Sequence, residues 1–305
     1  MVFFILTIII FLIVRLLPGD PVTVMLGEHP TPETKEALIK KFNLDKPLVT
    51  QYILWIKDVF TGNWGNSTRN LFAEVPVYPQ VMERFPKSFL LCMTSTITSL
   101  LIAIPLGVVT AAKQNTKTDL VISAASLVVI SLPEFWIGML LMLAFAVKLR
   151  ILPTGGYVAP SEDFVGFLKC LIMPTLSLGL ATAPQTLRLV RSSMIDVLDE
   201  DYIMLARTKG CSDHCVNYKH ALRNSLVPIA TTVTMQIASL MAGVVIIEKV
   251  FSYPGLGTYL LSAIQYRDYT AIQCSILMFS IVVVASNLLC DIILVIIDPR
   301  IRVDK

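Results

Sequence analysis

Between Lys87 and Lys113 the chain reads Ser88-Phe-Leu-Leu-Cys-Met-Thr-Ser-Thr-Ile-Thr-Ser-Leu-Leu-Ile-Ala-Ile-Pro-Leu-Gly-Val-Val-Thr-Ala-Ala112, with no charged residue. A hydrocarbon layer about 30 Å thick is crossed by roughly 20 apolar residues in a helix, so this run suffices to span a bilayer. Four further runs repeat it. Leu120 to Val147 is interrupted only by Glu134, which follows Pro133, a residue that kinks helices. Cys170 to Leu187 is uncharged and continues into Arg188 and Arg191, with Pro184 as an expected kink. Asn224 to Ile247 is uncharged, and so is Tyr269 to Cys290, which continues past Asp291 to Ile297. A shorter run, Met1 to Leu17, is broken only by Arg15. A signal peptide needs a basic start and a small-residue cleavage site. This run starts at Val2 and ends in Arg15-Leu-Leu-Pro-Gly-Asp-Pro21, so it reads as a first span whose cytoplasmic lead is missing or very short. Arg15 can snorkel outward and needs no special role.

Composition agrees with a polytopic membrane protein. Of 305 residues, 55% are hydrophobic and only 15% charged, against about 25% charged in soluble domains. Mean hydropathy is +0.71. This excludes disordered, collagen-like and disulfide-scaffold classes. Of the six cysteines, Cys92, Cys170, Cys274 and Cys290 sit in apolar runs, where a thiol behaves as a small hydrophobe.

Six spans place both termini on one side, and basic residues in short loops choose which. One face carries Lys113, Lys117, Arg188, Arg191, Arg207, Lys209, Lys219, Arg223, Arg300, Arg302 and Lys305; the other carries Lys148, Arg150, Lys169, Lys249 and Arg267. Both termini are therefore expected in the cytoplasm. The expected divisions are a first membrane helix over 1–17, an external segment over 18–87 and a five-helix transmembrane domain over 88–305. A cytoplasmic loop over 192–225 lies within that domain.

The external segment opens with Pro-Gly-Asp-Pro, a turn signal. Thr31 to Phe42 predicts an amphipathic helix, with Thr31 as cap and Pro32 in the first turn. A second helix is expected over Leu48 to Phe60, which places Tyr52, Trp55, Ile56 and Val59 at helical spacing. Gly62-Asn-Trp-Gly65 ends it. The segment reads as a packed cap over the external mouth, or as a contact surface for a soluble partner.

The cytoplasmic loop centres on Asp199-Glu-Asp-Tyr-Ile-Met-Leu-Ala-Arg-Thr-Lys-Gly210. Asp199 is a good N-cap, and Glu200 and Asp201 put negative charge at the positive end of the helix dipole. Arg207 and Lys209 sit at the other end, and Gly210 suits the left-handed conformation that closes a helix. Tyr202 and Ala206 lie four apart on one face, where small Ala206 lets another surface approach. A second helical stretch then leads through His220-Ala-Leu-Arg-Asn224 into the fifth span.

No Gly-x-x-x-x-Gly-Lys-[Ser/Thr] loop is present, so the chain is not expected to hydrolyse ATP itself. His-Glu-x-x-His and Gly-x-Ser-x-Gly motifs are also missing from the sequence. Cys211, His214, Cys215 and His220 form one metal-like cluster, but their spacing departs from a standard finger; no metal site is expected there. Ionisable groups in apolar runs are functional candidates because they are costly in hydrocarbon. These are Glu134, Glu248 at the external end of the fifth span, and Asp291 near the cytoplasmic end of the sixth.

The cytoplasmic segment resembles the coupling loop of importer-type ABC transporter permeases, the EAA loop. Asp201-Tyr-Ile-Met-Leu-Ala-Arg-Thr-Lys-Gly210 with His220-Ala-Leu-Arg-Asn-Ser-Leu-Val-Pro228 resembles the dipeptide/oligopeptide/nickel permease family in particular. Other matching pieces follow in order: Arg15 to Pro21, Gly62-Asn-Trp-Gly-Asn-Ser67, Pro133-Glu-Phe-Trp-Ile-Gly138 with Leu152-Pro153, Arg188-Leu-Val-Arg-Ser-Ser193, Glu248-Lys-Val-Phe-Ser-Tyr-Pro-Gly-Leu-Gly257, Arg267-Asp-Tyr269 and Asp298-Pro-Arg300. The likeness covers essentially the whole chain, and the long segment after the first span resembles the B-type member of the permease pair. Two departures stand out. The family's short basic lead does not precede Val2, which puts Met1 in question as the native start. An acid at position 134 stands where the family more often has a small or apolar residue; it could contact a cationic substrate or pair with a polar neighbour.

The resemblance implies an all-α permease subunit of a bacterial or archaeal plasma-membrane importer. It implies a heterodimer with a second permease, two ATPase subunits carrying ATP and magnesium, an extracytoplasmic binding protein, and contact with lipid but not nucleic acid. No cofactor is expected on this chain. Glu200, Asp201, Tyr202, Ala206, Arg207, Lys209 and Gly210 are then the residues expected to meet an ATPase. Glu134, Phe135, Gln236 and Glu248 are the candidates for the translocation path or gate. Trp64, Phe251, Pro254, Gly255 and Gly257 are the candidates for docking the binding protein. Peptides are the expected substrate, with nickel or a metal chelate as the alternative. An ion-coupled secondary transporter is a reading of a different class; it predicts internal repeats and midplane ion sites, and only Glu134 resembles one. An intramembrane enzyme would need paired catalytic residues, which the sequence does not offer.

Overall fold

In the computed structural model, the described residues (2–16, 36, 39–40, 43–68 and 74–297) are almost wholly helical. Apart from helices they hold one isolated antiparallel bridge, Asn66 to Pro76. Of the helix expected over 31–42, all but 36, 39 and 40 lies outside the described residues, as do Asp298-Pro-Arg300 and the last basic residues.

Four helices contain stretches long and apolar enough to cross a bilayer. These are α3 (Val77–Ala112), α6 (Phe164–Leu198), α8 (Leu222–Val250) and α10 (Tyr269–Ile297). Taken together, α4 (Lys117–Ile130) and α5 (Glu134–Leu141), the latter continuing as a π-helical stretch, Met142–Lys148, are also long and apolar enough, either as one broken span or as a re-entrant pair. These two halves are bent by 101° at their junction, not joined in the single kinked span expected over Leu120 to Val147. The physical cause is Pro133. It has no N–H for the α4 ladder and drives its neighbour out of helical backbone, so α5 starts afresh with Pro133 itself extended at φ −61°, ψ 141°. The remaining helices are α1 (Val2–Leu16), α2 (Leu48–Phe60), α7 (Asp201–Thr208) and α9 (Leu256–Gln265). Among the described residues α1 runs for 15, about 22 Å.

Helix α3 begins at Val77, well before the charge-free run. Pro79 lies in its first turn, where a missing donor costs nothing, and Val77 and Val81 are fully buried. Helix α6 has 35 residues, about 50 Å at 1.5 Å each, so it outreaches the hydrocarbon layer. It runs on through Pro174 and Pro184.

The chain divides into two compact units, Met1–Ser88 with Pro254–Val284, and Phe89–Tyr253 with Ala285–Lys305. In the first, α2 lays Tyr52 and Trp55 against Phe11 of α1, with ring centroids 5.6 and 6.0 Å away, and the Tyr52 and Thr7 hydroxyls share a 2.8 Å hydrogen bond. Its main core gathers Val77 and Val81 of α3, Leu256 and Ala263 of α9, and Ile272 and Cys274 of α10. Asp268 ties this unit together. Its carboxylate accepts from the Ala271 amide at 3.1 Å, capping α10, and from the Thr68 amide and hydroxyl, each at 3.1 Å, and the Ser67 hydroxyl.

In the second unit, small residues let helices approach closely, as packing in lipid requires. A Cβ on Gly107 of α3 would come within 2.6 Å of Val190 of α6, and one on Gly179 of α6 within 2.9 Å of Thr98 of α3. Gln236 of α8 accepts from the Thr186 hydroxyl at 3.0 Å and donates to the Ser99 hydroxyl at 3.0 Å, joining α8, α6 and α3. Arg191 of α6 grips Asp119 of α4 through two 2.8 Å hydrogen bonds, the planar fork that guanidinium and carboxylate favour.

Candidate functional site

Helix α7 is short and half-embedded. Its N-cap is Glu200, in extended backbone at φ −74°, ψ 144° and without a side-chain cap. The expected cap, Asp199, instead closes α6, its amide donating to the Ile195 carbonyl at 3.2 Å while the Glu200 amide donates to the Val197 carbonyl at 3.2 Å. Because α6 continues to Leu198, α7 starts one residue later than expected. Asp201 in the first turn and Arg207 in the last complement the helix dipole. Gly210 adopts φ +84°, the left-handed conformation that costs glycine little. The amide of Gly210 then reaches the Arg207 carbonyl at 2.9 Å and that of Cys211 reaches the Ala206 carbonyl at 3.2 Å, a Schellman closure.

Ile203 fastens α7 to the rest. It is buried among Val108 and Ala111 of α3, Val190 and Met194 of α6, Val216 and Ala221 of a π-helical stretch Cys215–Ala221, and Ile229 of α8. Tyr202 adds a polar tie, its hydroxyl accepting from Asn224 Nδ2 at 2.7 Å, while the same Nδ2 donates to the His220 carbonyl at 3.1 Å. Glu200, Asp201, Arg207 and Lys209 are exposed, and Ala206 is half-buried. Met204 and Leu205, which the sequence reading passed over, are 70% and 54% exposed. The signal was in the run Ile203-Met-Leu-Ala206: consecutive apolar residues cannot all turn to one side of a helix.

Glu134 occupies the first turn of α5, immediately after the bend, and is half-buried. Gly243 of α8 makes room for it: a Cβ there would lie 2.6 Å from a carboxylate oxygen. Phe135 beside it is exposed. Gln236 and Glu248 are buried, Gln236 inside the three-helix hydrogen-bond network and Glu248 completely.

The expected docking residues divide in the same way. Phe251 is buried; its ring fills the place a side chain at Gly138 would need, and its carbonyl accepts from the Gly156 amide at 2.8 Å. Gly155 lies so near the Phe251 backbone that a Cβ would stand 2.2 Å from its oxygen. Tyr253 stacks edge-on with Tyr157 at 5.5 Å, and burial pushes its phenol well above the ordinary range. Gly255 and Gly257 are buried, and Pro254 is half-buried. Trp64 donates from Nε1 to the Val59 carbonyl at 3.1 Å and meets Tyr78 edge-on at 5.2 Å. In the first unit a pocket of about 710 Å³ is lined by Pro254, Gln80, Arg84, Tyr259, Tyr266 and Asp268, among others. The Arg84 guanidinium lies 5.0 Å from the Tyr259 ring centroid. Burial, reinforced by Asp268, pushes the Tyr259 phenol up to about 12.

The whole chain has relatives. The profile of the family described as binding-protein-dependent transport system inner membrane component matches residues 103–303, and that of its N-terminal membrane component matches residues 1–92. The chain belongs to this family. It is accordingly a multi-pass inner-membrane component of an ABC transporter. Among curated relatives, the oligopeptide transport system permease protein AppB of Bacillus subtilis (strain 168) is 36% identical over 298 residues, covering 97% of this chain and 94% of that protein. The dipeptide transport system permease protein DppB of Escherichia coli (strain K12) is 33% identical over 323 residues, covering 98% and 94%. Among solved structures, an inward-facing form of the MetNI methionine ABC transporter superposes with a TM-score of 0.59 at 18% identity, over 72% of this chain and 96% of that one. At that identity the likeness speaks for the fold.

Proposed function

We propose that the chain forms half of the translocation pathway of an ATP-driven importer of di- and oligopeptides, paired with a second permease. Relatives named as peptide permeases, matched over nearly their whole length, support the substrate class. In this reading α1 completes six spans, both ends are cytoplasmic, segment 18–87 faces outward and α7 faces the cytoplasm. Two ATPase subunits holding ATP and magnesium seat α7, and an extracytoplasmic binding protein delivers the peptide.

The observation that carries the reading is the construction of α7. A rod of 8 residues, about 12 Å long, exposes Tyr202, Met204 and Leu205 while Ile203 anchors it among α3, α6 and α8. Close packing transmits displacement, because an interior at crystal-like density has no slack to absorb it. Closure of the ATPases would push α7 and, through Ile203, tilt three membrane helices as one body.

A path between two permease halves is lined by residues on the surface of each half. Glu134 and Phe135, at the bend between α4 and α5, meet that condition. Gln236 and Glu248 do not, and are assigned to holding helices together. For docking, Trp64 and the rim of the pocket around Arg84 and Pro254 are the better candidates, whereas Phe251, Gly255 and Gly257 shape the loop from within.

Ala206→Arg tests the coupling role. It leaves the charged ends of α7 in place but fills the half-buried face meant for the ATPase. In the reconstituted complex, peptide uptake per ATP hydrolysed should fall at least about tenfold, within the 1–3 kcal/mol range typical of coupling energies. Unchanged uptake per ATP would remove α7 from the mechanism.

A further inference from the structure

Cys211, Cys215 and His220 converge at the base of the hairpin that follows α7. Their Sγ and imidazole nitrogen atoms all lie within 4.8 Å of one another, and all three residues are half-buried. Local backbone explains the convergence. Cys211 is carried inward by the left-handed Gly210 and the Schellman closure of α7. Cys215 opens the π-helical stretch, its amide donating to the Ser212 hydroxyl at 3.4 Å. In an α-helix, positions five apart point about 140° away from each other. The i→i+5 turns of this stretch bring Cys215 and His220 to one side instead, and such π-helical turns occur frequently at functional sites. His214 is drawn away from the set, its ring stacked on Tyr218 at 4.7 Å and 28°.

Two thiols and an imidazole form the donor set of a borderline-soft divalent ion, which suits zinc better than calcium or magnesium. We propose that Cys211, Cys215 and His220 bind one Zn²⁺, with the fourth tetrahedral position open to water. Both thiols would bind as thiolates and release their protons on metal binding. Thiols on a cytoplasmic loop are kept reduced and so remain available as ligands. The ion would tie the end of α7 to the entry of α8, beside the bridge that Asn224 makes between Tyr202 and the His220 carbonyl. The site rests on these three side chains alone; its placement in the cytoplasm and any effect on coupling rest on the function proposed above.

The test uses the complete transporter complex, purified without chelator, stripped with a chelator and reloaded with Zn²⁺ or Co²⁺. Wild type should retain one more zinc per copy of this chain than Cys215→Ser or His220→Ala, while His214→Ala retains the wild-type content. Losing a ligand should weaken zinc retention against a competing chelator by more than about 100-fold, the upper end of what loss of an outer-shell partner costs. Cobalt loading of the wild type should give thiolate-to-cobalt charge-transfer absorption that Cys215→Ser lacks. Because this band is read on the wild type, misfolding of a variant cannot imitate success or failure. Equal zinc in wild type and variants, no thiolate–cobalt band, or a Cys211–Cys215 disulfide in the purified complex would each overturn the site. Metal content reads the site and peptide uptake reads the coupling, so the two proposals fail separately.

Discussion

Glu134 and Gly243 form a pair whose meaning lies in space rather than in either residue. A carboxylate at the start of α5 needs a partner surface without a side chain, and α8 supplies one at Gly243. Gly243→Ala should therefore bring a methyl group 2.6 Å from the carboxylate, a contact real Cβ atoms do not make. The atoms met are the far end of a flexible side chain that can swing aside, so the cost should stay near about 1 kcal/mol, the low end of overpacking, and the purified complex should melt at a slightly lower temperature. Adding Glu134→Ala to Gly243→Ala should recover most of that loss, giving a coupling energy of at least about 0.5 kcal/mol between the two sites. Additive losses would mean that the carboxylate and the glycine do not share this space. The sequence makes Glu134 visible as a charge in an apolar run, but not Gly243, since only the packing of α5 on α8 reveals why a side chain is missing there. Phe251 shows the converse. In a loop between two spans it reads as a docking residue, yet Gly138 leaves room for its ring and Gly155 for its backbone, so the residue turns inward.

At the scale of elements, periodicity and turn chemistry carry much of the reading. Helix α2 spans Leu48 to Phe60 as its apolar spacing predicts, and Gly210 closes α7 in the left-handed conformation. The one-residue displacement of the α7 cap arises because α6 claims Asp199, a competition between neighbours that local signals cannot weigh. The bend between α4 and α5 is announced by Pro133, but the size of its 101° angle is not written in the local sequence. For α7 the structure adds two residues the sequence reading left aside. Met204 and Leu205 point outward and make no core contact that their loss would empty, so Met204→Ser with Leu205→Ser should leave the fold intact. Retention of the ATPase subunits during purification should nonetheless weaken, by about 1–3 kcal/mol if these side chains anchor the interface. Full retention of the ATPases by the double variant would show that the exposed apolar face of α7 is not the contact.

Across the whole molecule, the apolar runs establish an all-helical membrane protein, and the ordered motifs establish its family. The contacts between motifs are what the linear chain conceals. Gly62-Asn-Trp-Gly-Asn-Ser67 and Arg267-Asp-Tyr269 lie some 200 positions apart, yet Ser67 and Thr68 converge on Asp268. Likewise Arg188-Leu-Val-Arg-Ser-Ser193 contributes Arg191 to Asp119, a residue outside every motif noticed in the sequence. These ties hold the two compact units in shape, and the peptide-import reading depends on such rigid bodies being driven through α7. The measurement that tests this reading most directly is substrate uptake by the complete complex in proteoliposomes, comparing labelled di- and oligopeptides with radioactive nickel. The account predicts peptide accumulation that requires ATP and the binding protein, without nickel accumulation. Nickel uptake without peptide uptake, or transport indifferent to ATP, would contradict it.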